Sequence, residues 1–418
     1  MDPLVTATAL LSLAVWLYLL LLRGGFWRAD RRLGEEEEAL GEWPGVIALV
    51  PARDEEEVIA TALGSLLSQD YPGPLKIVVI DDNSRDATAA AARAAAKQLD
   101  AEDRLILVRA RPPLPGWAGK TWALNEGLNE ARRRSMDAAY VWLSDADIAH
   151  GPATLRRLVA KAERERLDLV SLMAELSCTG AWARLLIPPF VFFFQKLFPF
   201  SWVADRNRDT AAAAGGCVLL RAEALSAAGG FAAIKDALID DCALAARVKP
   251  IARARDRGIW LGLADHSRSL RPYRDLKSIW DMVARSAYTQ LRTSPLLLAG
   301  TLLGMALTYL APPLALLAWP WHGSNLAAVA GGAAWALMAA AFLPTLLLYR
   351  QPPWLAALLP VGALLYSVMT VDSARRHWRG RGGAWKGRMI VRALEDTPAS
   401  AARLPGDPLR AIHWGRQA

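Results

Sequence analysis

The sequence predicts an α/β domain set between apolar membrane segments. Three observations predict it. From residue 46 to about 265, short β-branched runs alternate with stretches of helical periodicity. An uncharged run, 4–22, comes before that region, and apolar stretches return after residue 294. The 418-residue chain is 53% hydrophobic yet 22% charged, which suits a soluble domain joined to membrane helices better than a pure membrane bundle.

The first element, "LVTATALLSLAVWLYLLLL" (4–22), is long enough to span a bilayer. A cleaved signal would want a basic start and a small-residue cleavage site. Here Asp2 precedes the run, and Arg23, Arg28, Arg31 and Arg32 follow it. Positive-inside logic predicts an uncleaved anchor, with the N-terminus outside and residue 23 onward in the cytosol. "GEEEEALGE" (34–42) reads as a solvated linker, so the anchor and linker occupy 1–43.

Strands are predicted at 46–50, 75–80, 105–108, 139–143 and 169–173. Between the first two, Val58, Ile59, Ala62, Leu63, Leu66 and Leu67 recur with helical period. After the second, the Ala-rich "DATAAAARAAAKQL" is a strong helix former. The alternation predicts a parallel sheet with ligand loops gathered at the strand C-termini. This domain is placed at 44–280. Within it, "LLIPPFVFFFQKLFPFSWV" (185–203) contains Lys196 and several prolines, and reads as interfacial rather than spanning.

The C-terminal region, 281–418, holds apolar stretches at 295–319, 326–349 and 354–371. "PWHGSN" between the first two suits the outside, and Arg350 between the second and third suits the inside. The basic "RRHWRGRGGAWKGR" (375–388) also suits the cytosol, but three full crossings would put it outside. One segment is therefore expected to be re-entrant or interfacial. The candidates are 295–319, broken by Pro312-Pro313, and 354–371, which is short and contains Pro360 and Gly362.

Net charge is +8, with Lys and Arg scattered or clustered near apolar segments. That pattern fits an anionic membrane face, and no nucleic-acid motif accompanies it. Cys178, Cys217 and Cys242 are far apart and show no zinc spacing, so they read as idle thiols in a reducing compartment.

The chemistry lies in three acidic pairs that follow apolar runs. "VVIDDNSRDAT" carries Asp81 and Asp82, "VWLSDADI" carries Asp145 and Asp147, and "DALIDDCALAARV" carries Asp240 and Asp241 ahead of a helix. One such pair could merely cap a helix. Three of them, gathered on one sheet edge, can converge on a pocket. Neighbouring carboxylates repel and lose hydration when buried, so they call for a positive partner: a metal ion, an arginine or only water. Oxygen-only ligands suit Mg²⁺ or Mn²⁺, and such a metal also grips substrate phosphates. There is no Walker A sequence and no GxGxxG. "PGWAGKTWALNEG" (115–127) is the replacement candidate, with Lys120 as a point charge facing a diphosphate.

The ordered set "VPARDEEEVI", "VIDDNSRDAT", "GWAGKTWALNEG", "SDAD", "AAAAGGCVLLRAEAL" with "GGF", and "LIDDCALAARV" resembles family 2 glycosyltransferases with the GT-A fold, over about 44–250. More narrowly, "GWAGKTWALNEG", "RNRDTAAAAGGC" and the anchor-before, spans-after layout are similar to the hopanoid-biosynthesis-associated membrane glycosyltransferases. The resemblance implies that Asp54, Glu55, Asp81 and Asp82 line the nucleotide pocket, an acid reading the uracil and ribose of a UDP-sugar. It implies that Asp145 and Asp147 hold a divalent metal (Mg²⁺ or Mn²⁺) and the donor diphosphate. Asp241 matches the general base of the family's Glu-Asp motif, with Asp240 in place of the longer Glu. Gly215 and Gly216 match the small-residue loop beside the donor sugar. Processive relatives carry Gln-x-x-Arg-Trp after the base. Here "MVARSAYTQLRTS" has Arg285 and Tyr288 but no such motif, which speaks against polymer synthesis.

The implied function is an inverting sugar transfer from a nucleotide sugar to a lipid acceptor. The enzyme would be a multi-pass protein of the inner membrane with its site facing the cytosol. The acceptor implied is a hopanoid; a polyprenyl phosphate or another glycolipid precursor is the alternative. A phosphohydrolase would want DxD after the first strand, where "VPARDEEE" has none. A non-catalytic scaffold would have no need of all three acidic pairs.

Overall fold

The computed structural model describes residues 3–34 and 40–382. Most of the acidic linker (35–39) and the basic tail from 383 onward lie outside the described residues. After α1 (Pro3–Leu22) come β1 (Val46–Ala52), α2 (Ile59–Leu67), β2 (Leu75–Asp81), α3 (Thr88–Gln98) and β3 (Leu105–Arg109). Then follow α4 (Gly119–Arg133), β4 (Tyr140–Ser144), β5 (Ile148–His150), α5 (Thr154–Arg164) and β6 (Leu167–Glu175). Next are α6 (Ala181–Leu197), α7 (Phe200–Ala204), β7 (Cys217–Arg221), α8 (Ala222–Ala227), α9 (Asp240–Ala254) and β8 (Gly258–Ser269). The C-terminal helices are α10 (Leu276–Gln290), α11 (Pro295–Met305), α12 (Ala311–Leu317), α13 (Trp319–His322), α14 (Asn325–Leu348) and α15 (Leu359–Trp378).

The strands form one sheet in the order β3-β2-β1-β4-β7-β6-β8-β5. Its first half is parallel, as expected: β1 pairs with both β2 and β4, and β2 with β3. All seven β1 residues are buried, since helices cover both faces of a parallel sheet. Helix α2 turns Ile59, Ala62, Leu63, Leu66 and Leu67 inward. On the other face α4 presses close, because Gly127 has no side chain. A Cβ there would lie 2.7 Å from Ile80 Cδ1 and 3.4 Å from Leu49 Cδ2.

The second half corrects the expectation of an all-parallel sheet. β7 runs antiparallel between β4 and β6, and β5 runs antiparallel to β8. These three strands, β5, β7 and β8, carry weak signals: two are short, and β8 ends in "HSRS" with exposed His266 and Arg268. A second correction concerns the acids at 240–241. The apolar "ALI" before them is no strand, and Asp240 opens α9 directly. Both acids occupy the first turn of a helix, where the N–H dipoles favour negative charge.

Among the described residues, four helices are long and apolar enough to cross a membrane: Pro3–Leu22, Pro295–Leu317, Asn325–Leu348 and Pro353–Trp378. The first three share a far end, away from the sheet. There Thr6 and Ser324 hydroxyls meet at 2.9 Å, and Ala9, Ala315, Ala327 and Ala330 pack together. Their near ends touch the α/β domain: Arg23 donates to the Lys196 carbonyl, Leu298 packs on Tyr288, and Leu176 N–H donates to Tyr349 Oη. Helix α15 behaves differently. It meets α6 through Gly362 against Pro189 and through Tyr366 Oη, which donates to the Leu186 carbonyl. It then meets α10 through Asp372 and Ser373. So α15 begins among the apolar helices, where Leu359 and Ala363 pack with Trp16, Tyr309 and Phe342 and Trp335 Nε1 of α14 donates to the Ala357 carbonyl just before it, and it ends against the domain.

Candidate active site

The chain leaves β4 at Ser144 and turns through Asp145, Ala146 and Asp147 into β5. A buried histidine pins this turn. His150 Nε2 meets Ser144 Oγ at 2.9 Å, its Nδ1 meets Ser267 Oγ at 2.9 Å, and its ring packs on Trp142. Burial lowers its pKa to about 3, so the ring stays neutral and structural. Leu270 N–H donates to the Asp147 carbonyl at 2.7 Å and ties the turn to the end of β8.

Each acid of the pair has a cation of this chain. Lys120 Nζ lies 2.9 Å from Asp145 Oδ1 and 3.3 Å from Asp240 Oδ2. Arg271 Nε lies 3.1 Å from Asp147 Oδ2, and its Nη2 reaches both Glu55 oxygens, at 2.9 and 3.0 Å. Lys120 sits in the first turn of α4. That end is fastened to the loop before α9: Ala118 N–H and Thr121 Oγ1 both donate to the Lys235 carbonyl at 2.7 Å. Burial opposes the Lys120 charge, but Asp145, Asp240 and Asp241 outweigh it and hold the ammonium above its ordinary pKa.

Asp241 is held by two backbone donors. Gly215 N–H meets Oδ2 and Cys242 N–H meets Oδ1, both at 2.7 Å. Burial and then Asp240 push its pKa up to about 6, while Lys120 and the two N–H groups pull the other way. A carboxylate in that range is suited to take up a proton near neutral pH. Gly215 lies close to both groups: a Cβ would stand 3.0 Å from Lys120 Nζ and 3.3 Å from Asp241 Oδ2, so either would have to give way. At Gly216 a Cβ would meet Ile148 Cγ1 at 3.1 Å.

These groups line one cavity of about 670 Å³. The structure brings Glu55, Lys120, Asp145, Asp147, Gly215, Gly216, Asp240 and Asp241 to it. Asp54, Asp81 and Asp82 lie outside its lining and tie the β1 and β2 loops together. Asp54 Oδ1 accepts from Arg85 N–H at 2.8 Å, Asp81 Oδ1 from Ser84 N–H at 2.9 Å, and wholly buried Asp82 lies 3.5 Å from Arg53 Nη1. Arg271 was not expected from the sequence. It comes 124 residues after Asp147, and only the folded β8 brings it there. The same holds for Tyr273, Arg376 and Arg381, which also line the cavity. The one available signal was Arg271-Pro272-Tyr273 at the end of the domain.

Asp145 and Asp147 are the groups suited to a divalent metal. Among the described residues no cluster of three or more His, Cys, Asp or Glu side chains stands ready to hold one. Two carboxylate oxygens with the balance from substrate phosphates is an established mode for Mg²⁺, so the donor set fits.

Residues 47–228 match the family described as "Glycosyl transferase family 2". Over 125 residues the chain is 34% identical to "Probable glycosyltransferase YdaM" of Bacillus subtilis (strain 168), covering 28% of this chain and 29% of that protein. Over 136 residues it is 32% identical to "Beta-monoglucosyldiacylglycerol synthase" of Trichormus variabilis, covering 32% of this chain and 27% of the relative. The match thus spans less than a third of either curated relative. Among solved structures, the mannosyltransferase PcManGT from Pyrobaculum calidifontis, in complex with GDP-Man and Mn²⁺, is similar with a TM-score of 0.51. It is 22% identical and covers 90% of this chain and 99% of that one. The α/β domain has the GT-A fold, with apolar helices at both ends.

Proposed function

We propose, from a chain that carries a family 2 glycosyltransferase domain of GT-A fold, that this enzyme moves a sugar from a nucleotide-sugar donor to a membrane lipid, with inversion at the anomeric carbon. The observation that carries the reading is the cavity itself. Its acids and Lys120 meet an apolar wall made by Met173, Leu176, Phe190 and Phe194. Such a site can hold a charged donor and an amphiphilic acceptor together. The lipid glycosyltransferase named among the relatives supports a lipid acceptor. The finer reading, on the sequence resemblance, takes a UDP-sugar as donor and a hopanoid hydroxyl as acceptor. A polyprenyl phosphate or another glycolipid precursor is the alternative.

Asp145 and Asp147 would hold a divalent cation, which when bound would neutralise charge on the diphosphate leaving group. Lys120 offers a second positive charge beside the same acids. Asp241 takes the proton of the acceptor hydroxyl as that oxygen attacks the anomeric carbon. Gly215 N–H and Cys242 N–H fix the base's two oxygens, so its remaining lone pairs keep one orientation. Asp240 stands between the base and Lys120 and orients that pair. Bringing donor and acceptor from two phases into one cavity makes positioning a large part of the rate.

The test incubates membranes containing the protein with labelled nucleotide sugar, lipid extract and Mn²⁺. Label in the lipid phase supports transfer. Release of free sugar or phosphate with no lipid product would replace the proposal with hydrolysis.

A further inference from the structure

The cavity lining includes arginines that sugar transfer leaves without a task. Arg285 on α10, Arg376 near the end of α15, and Arg381 just beyond that helix line it. The other cations of the lining have carboxylate partners: Lys120 has Asp145 and Asp240, and Arg271 has Asp147 and Glu55. Arg376 is also committed. Its Nη1 lies 2.8 Å from Asp281 Oδ1 and its Nε 2.8 Å from Asp372 Oδ2, while Trp280 Nε1 donates to the same Asp372 oxygen at 2.9 Å. That network fixes the end of α15 against α10. Arg285 and Arg381 are exposed and have no carboxylate partner among the described residues.

We propose that Arg285 and Arg381 form an anion site that takes the phosphate of the lipid acceptor, with the lipid's apolar part lying along α6. Four α10 residues, Ser278, Asp281, Met282 and Arg285, share one helix face and turn it to the cavity. The same lining includes the apolar Phe190, Phe194 and Met282. Two guanidinium groups and apolar side chains lining one cavity match a ligand with an anionic head and a hydrocarbon body. Guanidinium binds phosphate through paired N–H donors, which an uncharged lipid head cannot use. Arg376 is a positioning residue here: its guanidinium is satisfied by Asp281 and Asp372, and its carbonyl accepts from Arg381 N–H at 2.8 Å. The inference rests on the transferase reading and narrows its acceptor. It selects the glycolipid-precursor alternative over the hopanoid: the lipid carries a phosphate besides the reacting hydroxyl.

The test uses the full chain in neutral detergent and titrates it by calorimetry with three probes: dihexanoyl phosphatidylglycerol, dihexanoylglycerol and inorganic phosphate. The phospholipid is expected to bind most tightly. Arg285→Gln with Arg381→Gln should weaken it about 10-fold or more, since removing one charge-assisted hydrogen bond alone costs about that factor. The same double variant should keep its nucleotide-sugar affinity, which also reports that it is folded. Arg376→Lys should weaken phospholipid binding less than Arg376→Gln if the residue acts through its ion pairs. Equal binding of the phospholipid and the neutral glyceride would overturn the proposal. So would inorganic phosphate binding as tightly as the phospholipid, because the tail would then contribute nothing. Loss of donor affinity in the double variant would move the arginines into the donor site. Failure of the wild-type protein to bind any nucleotide sugar would instead sink the transferase reading.

Discussion

Asp145 and Asp147 stand one residue apart at the end of a buried strand, and each is balanced by a cation of this chain. Lys120 serves the first and Arg271 the second. A divalent metal arriving with the donor would therefore compete with Arg271 for Asp147. Asp147→Asn should abolish metal-dependent donor binding, weakening nucleotide-sugar affinity by about 10-fold or more while the fold survives. Calorimetry with and without EDTA measures this. Affinity insensitive to EDTA in both wild type and variant would make the pair a structural turn. At Asp241 the expectation is a pH profile. Its pKa is pushed up to about 6, and a base works only when deprotonated, so transfer should rise as pH increases through about 6 and level off above. That limb should vanish in Asp241→Asn. Most of these site acids were legible in the sequence, because runs such as "VWLSDADI" mark where a strand hands over to a loop. Arg271, Arg376 and Arg381 were not, since only the tertiary fold brings them to the cavity.

Among the elements, α4 matters most, since its first turn carries Lys120 and its Gly127 lets it lie close on β1 and β2. Gly127→Ala gains about 1 kcal/mol in helix propensity. It also drives a Cβ to 2.7 Å from Ile80, and overpacking costs about 1–3 kcal/mol. The net expectation is destabilisation, read as a lower denaturation midpoint, together with weaker donor binding as Lys120 shifts. A stabilised variant with unchanged donor affinity would show that Ile80 yields freely. The first four strands and their helices were legible because hydrophobic period and β-branching agree there. β7 was hidden behind the Ala/Gly run that precedes it, and β8 behind its polar end. The acids at 240–241 look like a strand terminus in sequence, yet they open a helix.

For the molecule as a whole, the charge conflict in the sequence concerns how many of the four apolar helices cross. α1, α11–α12 and α14 run from the domain to a common far end, whereas α15 starts level with the middle of α14 and returns past α6 to α10. We propose that the first three cross the bilayer and that 354–371 is re-entrant, dipping beside α14 and returning to the cytosolic face. The N-terminus and "PWHGSN" are then outside, with the site and the basic tail inside. This is the arrangement in which 354–371 is the segment that does not cross. Single cysteines at Lys97, Trp321 and Arg379, all exposed, test it. An impermeant thiol reagent should label Trp321→Cys in intact cells, and the other two only after permeabilisation. Labelling of Arg379→Cys in intact cells would make α15 a fourth crossing.

The central claim is that Asp241 is the base of a sugar transfer within this cavity, and a paired measurement tests it most directly. Donor affinity by calorimetry and lipid product by radiolabel are followed in wild type, Asp241→Asn and Asp240→Asn. Asparagine keeps the size and hydrogen-bonding reach of aspartate but cannot take up the proton. Asp241→Asn should bind donor nearly normally while transfer falls by roughly 10²–10⁴, and Asp240→Asn should be milder. Parallel loss of donor binding and transfer in Asp241→Asn, or near-full transfer there with Asp240→Asn inactive, would contradict the assignment.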